Sequence, residues 1–106
     1  ADYVAGRARL EALRRSFWAK VAGYDAVVLP SAAILPPPIA RLLEDHAFYV
    51  ERNLLALRNT RLANLFGGAA LTLPAPHASC GLMAMGPAHS EERLLRLGAA
   101  LESALA

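Results

Sequence analysis

The chain has 106 residues, of which 56% are hydrophobic and 19% charged, and its net charge is +2. An average globular chain is ~45–50% apolar and ~25% charged, and a small domain should be less apolar still because it has more surface for its volume. The length limits the chain to one domain or part of one, and the composition predicts that apolar surface is hidden in an oligomer or in a larger core. A single cysteine excludes an internal disulfide and a cysteine-based zinc site, which favours a cytoplasmic location.

The first predicted element is a helix from Asp2 to Ala22, ended by Gly23. Its apolar positions recur at three- and four-residue steps: Leu10, Leu13, Phe17 and Val21. Its basic residues are interpreted as a solvated face: Arg7, Arg9, Arg14, Arg15 and Lys20. No aromatic residues alternate with these charges and no nucleic-acid-binding motif is present, so we expect no nucleic-acid partner.

A short apolar run at 26–29 predicts a buried strand that ends at Pro30. Three consecutive prolines at 36–38 then favour an extended or loop segment over a helix. Residues 41–66 are predicted to be helical with a break near 45–48, and Gly67-Gly68 ends that helix.

Strands at 69–73 and 81–85, separated by a turn-rich loop, predict an antiparallel hairpin. No charged residue occurs from Leu62 to Ser90, but glycines and prolines interrupt this run, so it predicts buried strands and no membrane span. A last helix starts at Ser90 with two glutamates in its first turn. Its predicted buried stripe is Leu94, Leu97, Gly98, Leu101 and Leu105. The fold class is therefore α/β, with three strands and three to four helices in part of a larger mixed sheet.

Several local sequences, taken in order, resemble elements of the amidase signature family. Tyr24-Asp25, the apolar strand and Pro30 resemble its YD-apolar-TPT element, with Ser31 two residues short of the usual second threonine. A second element has the spacing Thr-x3-Asn-x2-Gly-x6-Pro, matched by Thr60, Asn64, Gly67 and Pro74. The strand from Gly81 to Gly86 resembles the family's GLxxxG strand, and Ser90 to Glu102 resembles its closing helix. The resemblance covers about 24–105.

The chain also departs from the family's pattern. Gly67-Gly68-Ala69 stands where many members have Gly-x-Pro, and Ala78-Ser79-Cys80 precedes Gly81 where many have Gly-Leu-Pro. These changes suggest a divergent amidase and argue against a transamidating subunit, while allophanate hydrolases end similarly and stay an alternative.

The resemblance implies amide hydrolysis without a cofactor. In the family a serine attacks the amide carbonyl, a second serine held by a cis peptide relays the proton to a lysine, and backbone N–H groups stabilise the oxyanion. That chemistry needs a Gly-Gly-Ser-Ser-like segment and a lysine on a strand. Here the one lysine is Lys20 on a charged helix, and the serines are isolated from one another. We therefore assign no catalytic residue and expect the chain alone to be inactive.

Three residues are candidates for contact with a substrate: Ser31, Thr60 and Asn64. Ser31 follows a strand end, where pockets of open α/β sheets form, although a turn residue bonded to the backbone is the alternative. Thr60 and Asn64, with Asn59, belong to a helix expected to pass near the same sheet, and Asn64 is alternatively a structural residue at the Gly67 turn.

The other chemically active side chains are interpreted as structural. His77 and Cys80 could form a nucleophile–base pair, but no carboxylate lies nearby in sequence, and an ordinary loop histidine with a half-buried cysteine is the simpler interpretation. The three histidines lack metal-ligand spacing, so we expect no metal.

The sequence thus predicts that residues 1–106 are a single C-terminal segment of an amidase domain. The complete enzyme would act on a small amide and homo-oligomerise, with no membrane partner. The alternative is a standalone, non-catalytic interaction domain that assembles as a homo-oligomer.

Overall fold

The computed structural model describes residues 1–105, which form five helices and a three-stranded antiparallel sheet. The helices are α1 (Asp2–Val21), α2 (Ile39–Glu44), α3 (His46–Ala56), α4 (Thr60–Phe66) and α5 (Glu91–Leu105). The strands are β1 (Val27–Pro30), β2 (Ala69–Pro74) and β3 (Gly81–Gly86). The α/β class is confirmed, and each strand lies within one residue of its predicted bounds.

The sheet has the order β1-β3-β2, with β3 antiparallel to both neighbours. The predicted hairpin of β2 and β3 is confirmed, and its register places Leu71 opposite Ala84. β1 joins the free side of β3 with Val27 opposite Met85. The described strands are antiparallel to their neighbours, which is compatible with the predicted position in a larger mixed sheet.

Helix α5 covers one face of the sheet with the predicted apolar stripe. Leu94 is 2% exposed, and Gly98 is buried where the helix approaches the sheet. A Cβ atom at Gly98 would lie 3.0 Å from Cδ2 of Leu71, so the absence of a side chain allows this close contact.

Helices α1 and α4 lie on the opposite face, which carries Met83 and Met85. Trp18 and Val21 of α1 surround a cavity together with the paired residues Val27 and Met85. Since Leu71 and Ala84 point to the α5 side, alternation along β3 places both methionines on the α1 side. They are 3% and 1% exposed, so β3 is buried on both faces as its apolar sequence indicates.

Two side chains of α1 cap the C-terminal end of α4. Arg14 Nε donates to the carbonyl of Leu65 at 2.6 Å, and Trp18 Nε1 donates to the carbonyl of Phe66 at 2.8 Å. The last carbonyls of a helix lack partners within the helix, so these bonds satisfy groups that would otherwise need water. The interpretation of Arg14 as part of a solvated face is therefore wrong.

The long helical region divides into three helices at two different kinds of break. Asp45 is extended, and its carboxylate accepts from the backbone N–H of Phe48 at 2.9 Å, which starts α3 within the predicted break. The second break, a turn at residues 57–59, was not predicted because Leu55-Ala56-Leu57 continues a helix-forming sequence. The structure therefore has one more helix than the upper prediction of four.

The molecule is a thin slab with extents of 48 × 44 × 18 Å and a radius of gyration of 16.6 Å. A compact chain of this length would have a radius of gyration of about 13 Å. Its accessible surface is 7618 Å², about a third more than the roughly 5,700 Å² typical of a compact monomer of this mass. Six apolar side chains within residues 1–105 are buried: Phe48, Ala63, Met83, Ala84, Met85 and Leu94. The layers available are thus too few to bury the chain's apolar surface.

No helix within residues 1–105 has both the length and the apolar character needed to cross a bilayer.

Two glycines provide a matched test of the packing between α1 and the sheet. A Cβ atom at Gly68 would collide with the carbonyl oxygen of Gly86 and lie 2.7 Å from Cζ2 of Trp18, whereas a Cβ at Gly23 would meet nothing within 4 Å. We expect Gly68→Ala to lower the free energy of unfolding by about 2 kcal/mol, because backbone atoms cannot yield to the added methyl group. Gly23→Ala should leave stability unchanged or raise it by up to ~1 kcal/mol.

Urea denaturation followed by far-ultraviolet circular dichroism measures both variants. Equal stabilities of Gly68→Ala and Gly23→Ala would contradict the observed contact of Gly68 with Trp18 and β3.

Candidate functional site

Three segments meet beside the carboxyl end of β1 and border an open cavity of about 580 Å³. They are the end of β1 with the following loop, the turn between α3 and α4, and the end of the β2–β3 loop. The polar residues that line this β1-end cavity are Ser31, Arg58, Asn59, Ser79 and Cys80. The cavity is larger than the four others described in this chain, whose volumes are about 270, 390, 320 and 210 Å³.

Hydrogen bonds to backbone carbonyl groups hold the three segments together. Asn59 Nδ2 donates to the carbonyl of Pro30 at 2.8 Å, which ties the α3–α4 turn to the end of β1. The backbone N–H of Ser31 donates to the carbonyl of Gly81 at 2.8 Å, which ties the same end to β3. The walls of the β1-end cavity are therefore fixed to the sheet.

A second cavity of about 320 Å³ lies between α4 and β2 and is called the α4 cavity. Thr60, Asn64 and Thr72 line it. Thr60 and Asn64 are four residues apart on α4, a spacing that places their side chains on one face of a helix. The Thr60 hydroxyl donates to the carbonyl of Leu57 at 3.1 Å.

One hydroxyl pair joins the two cavities. Ser31 Oγ, in the β1-end cavity, donates to Thr72 Oγ1, in the α4 cavity, at 3.2 Å. The three sequence-predicted residues thus occupy two adjacent cavities: Thr60 and Asn64 share one, and Ser31 lines the other. Their contact with a substrate stays a prediction.

Asn64 also has the structural role that the sequence suggested. Its backbone carbonyl accepts from the N–H of Gly67 at 3.2 Å, and Gly67 has a φ of 62° in the left-handed region that favours glycine. This contact uses the main chain, so the side-chain amide is not needed for the turn.

His77 and Cys80 share a turn in which the N–H of Cys80 donates to the carbonyl of His77 at 3.1 Å. Cys80 lines the β1-end cavity, but His77 is not among the residues around it. Cys80 is exposed, so the expectation of a half-buried thiol is wrong, because the loop lies at the rim of the sheet. In the part of the chain that the structure describes, no group of three or more potential ligands could hold a metal ion.

Sequence reasoning missed two residues of these cavities, Arg58 and Thr72. Arg58 adjoins Asn59 and Thr60 in sequence, but the turn at residues 57–59 directs it to a different cavity from Thr60. Thr72 is the polar residue of an otherwise apolar strand, and that contrast is a signal that the sequence contained.

A third cavity of about 270 Å³ lies away from the predicted residues, beside Trp18, Val27 and Met85. Its charged lining consists of Asp25 and Arg93, and the Arg93 guanidinium donates to the backbone carbonyl of Asp25 at 2.6 Å. This bond fastens the start of α5 to the segment before β1, which is a structural use of the arginine.

Comparison with known proteins relates the chain to an enzyme. It is 35% identical over 83 residues to the 2-amino-5-chloromuconic acid deaminase of Comamonas testosteroni. The match covers 74% of this chain but 18% of the deaminase, so the chain spans less than a fifth of that relative's length. No family model and no solved structure matches the chain. The chain is thus distantly related to a deaminase.

The bond from Asn59 to Pro30 predicts a difference between two substitutions. Asn59→Asp keeps the side-chain shape but replaces the N–H donor with an oxygen that faces the Pro30 carbonyl, whereas Asn59→Ala only removes the donor. We expect Asn59→Ala to destabilise the fold by about 1 kcal/mol and Asn59→Asp to destabilise it more, because two acceptors then face each other. Urea denaturation of the two variants checks the order, and an Asp variant as stable as the native chain would contradict the observed bond.

Proposed function

We propose that the chain is the C-terminal portion of an amidase-type hydrolase that cleaves a carbon–nitrogen bond of a small amide. The observation that carries this proposal is the 35% identity to part of a much longer deaminase. A deaminase removes an amino group, so breaking a carbon–nitrogen bond is the reaction class that such a relation supports. The amidase-like sequence elements from Tyr24 to Leu105 support an amide as the type of carbon–nitrogen bond that is cleaved.

In this proposal the catalytic serines and lysine lie upstream of Ala1. The nucleophilic serine attacks the amide carbonyl while its proton passes through the second serine to the lysine, and the same relay returns that proton to the departing amine. Water then attacks the acyl-enzyme, the acid is released and the serine recovers its proton. The described chain offers no competing arrangement, since Lys20 lies exposed near the end of α1.

The proposed role of this chain is to complete the sheet and to form a wall of the substrate pocket. Ser31, Thr60 and Asn64 line two cavities joined by the Ser31–Thr72 hydrogen bond, and these hydroxyl and amide groups suit recognition of an uncharged amide. No metal or other cofactor takes part in this mechanism, and the proposed location is the cytoplasm.

The proposal predicts activity for the longer polypeptide and none for the isolated chain. The test is to express the complete reading frame, and separately residues 1–106, and to measure ammonia release from a panel of small primary amides. We expect turnover by the complete product only, and loss of that turnover when its upstream lysine is replaced. Amide turnover by the purified 106-residue chain, or an inactive product containing an upstream Ser-Ser segment and lysine, would refute it.

A second candidate is a non-catalytic domain that assembles as a homo-oligomer. The specific observation in its favour is apolar surface on α2, where Ile39 and Leu43 lie four residues apart on one helix face and are 74% and 82% exposed. Such side chains are commonly buried by a partner when they form a continuous patch.

Light scattering of the native chain and of α2 variants tests this candidate by mass. The expected result for self-assembly through α2 is a dimer or larger species that becomes monomeric in Ile39→Gln/Leu43→Gln. Leu95→Gln, which changes a 68% exposed leucine on α5, is the matched control and should not alter the mass. A monomeric native chain at micromolar concentration would contradict this second candidate.

A further inference from the structure

The β1-end cavity contains one charged side chain among the described residues that line it, and that charge is positive. Its lining includes Arg58 but no aspartate or glutamate from residues 1–105. Within the same described range, no side-chain hydrogen bond or ion pair occupies the Arg58 guanidinium. Arg58 is exposed, so this open cavity of about 580 Å³ presents to a ligand a cation that has no counter-ion among residues 1–105.

The backbone that carries Arg58 is held in place. Its N–H donates to the carbonyl of Leu55 at 3.2 Å, which continues the end of α3 into the turn. The next residue, Asn59, is bonded to Pro30 at the end of β1. The guanidinium is thus attached to a fixed point on the wall, so a ligand that binds it need not order the main chain first.

The rest of the described lining carries no charge and offers little competition for an anion. Leu29, Ala33 and Ile34 provide an apolar wall beside the exposed guanidinium. Asn59 and Ser31 each use a donor on the protein, because Asn59 donates to Pro30 and Ser31 donates to Thr72. The Ser31 oxygen can still accept from an amide N–H but does not attract an anion. Arg58 is therefore the group best placed to select a ligand by charge.

We propose that the β1-end cavity binds the carboxylate of a small anionic ligand through Arg58, and that the substrate of the proposed hydrolase carries this carboxylate beside its scissile amide. The planar guanidinium presents parallel N–H donors that match the two oxygens of a carboxylate. This assignment of substrate class rests on the proposed function, while binding of the carboxylate itself does not require turnover.

Two nearly isosteric probes separate charge from shape. Succinamate has an amide and a carboxylate, and succinamide has two amides and no charge. Isothermal titration of the complete polypeptide should give a dissociation constant up to about fivefold lower for succinamate than for succinamide, which is the preference that an exposed ion pair supports. Equal affinities for the two probes, or no succinamate binding, would overturn the proposal.

Substitution then assigns the preference to one side chain. Arg58→Gln should abolish the preference for succinamate, and Arg58→Lys, which keeps the charge without the planar fork, should retain part of it. Arg61→Gln is the matched control, because Arg61 is an exposed arginine three residues away that does not line the cavity. Thermal unfolding of each variant verifies that it is folded, and an Arg58→Gln variant that keeps the full preference would overturn the assignment.

Two further measurements distinguish carboxylate recognition from general anion binding and from amide hydrolysis. Inorganic phosphate that displaces succinamate at equal concentration would indicate a general anion site and overturn the carboxylate assignment. Hydrolysis is measured independently. Succinamate that binds through Arg58 but is never cleaved contradicts the proposed function and leaves the binding site supported. Cleavage of both probes at equal kcat/KM supports the hydrolase and overturns the substrate class.

Discussion

The whole arrangement depends on the burial of β3 on both of its faces. This strand is bonded to β1 on one side and β2 on the other, and its central residues, Met83, Ala84 and Met85, are 3%, 1% and 1% exposed. A strand with apolar residues on both faces is stable only when a layer covers each face. Helix α5 supplies one layer and the pair α1 and α4 supplies the other, so the order of the layers follows from the sequence of one strand.

The outer strands lack the same protection. Val28 of β1 is 52% exposed on the face that α5 covers elsewhere, and Ala70 and Thr72 of β2 are exposed on the opposite face. Helix α5 therefore covers β3 and β2 and leaves β1 open on its face, while α4 lies beside β2 with a cavity between them. The α4 cavity lies at the incompletely covered part of β2, because Ala70 and Thr72 line it. The β1-end cavity lies instead beside the carboxyl end of β1, and Val28 is not part of its lining.

Much of the local structure could be predicted because individual residues limit it. Pro30, Pro74 and Gly86 end their strands, and the spacing of Leu94, Leu101 and Leu105 defines the inner face of α5. The position of β1 beside β3 could not be predicted in the same way, since an apolar run does not identify its partner across more than fifty intervening residues. Arg14 was misinterpreted for a related reason: its acceptor, the Leu65 carbonyl, is distant in sequence.

The candidate site shows the same division between local and distant information. The four-residue spacing of Thr60 and Asn64 predicts a shared helix face, and both line one cavity. The separation of Arg58 from Thr60 depends on the turn at residues 57–59, which no glycine or proline marks. The contact of Ser31 with Thr72 depends on the register of β1 and β2 about β3, and that register belongs to the assembled sheet.

The seam between α1 and α4 contains the chain's one tryptophan, which gives this contact an optical signal of its own. The indole N–H of Trp18 is bonded to Phe66, and the ring of Phe17 stacks on that of Phe66 with centroids 4.2 Å apart. An indole transferred to water exchanges its carbonyl partner for solvent and emits at longer wavelength. Intrinsic fluorescence excited at the indole band therefore reports the docking of α1 specifically, while far-ultraviolet circular dichroism reports all five helices together. A comparison of the two signals shows whether α1 leaves the sheet before the remainder unfolds.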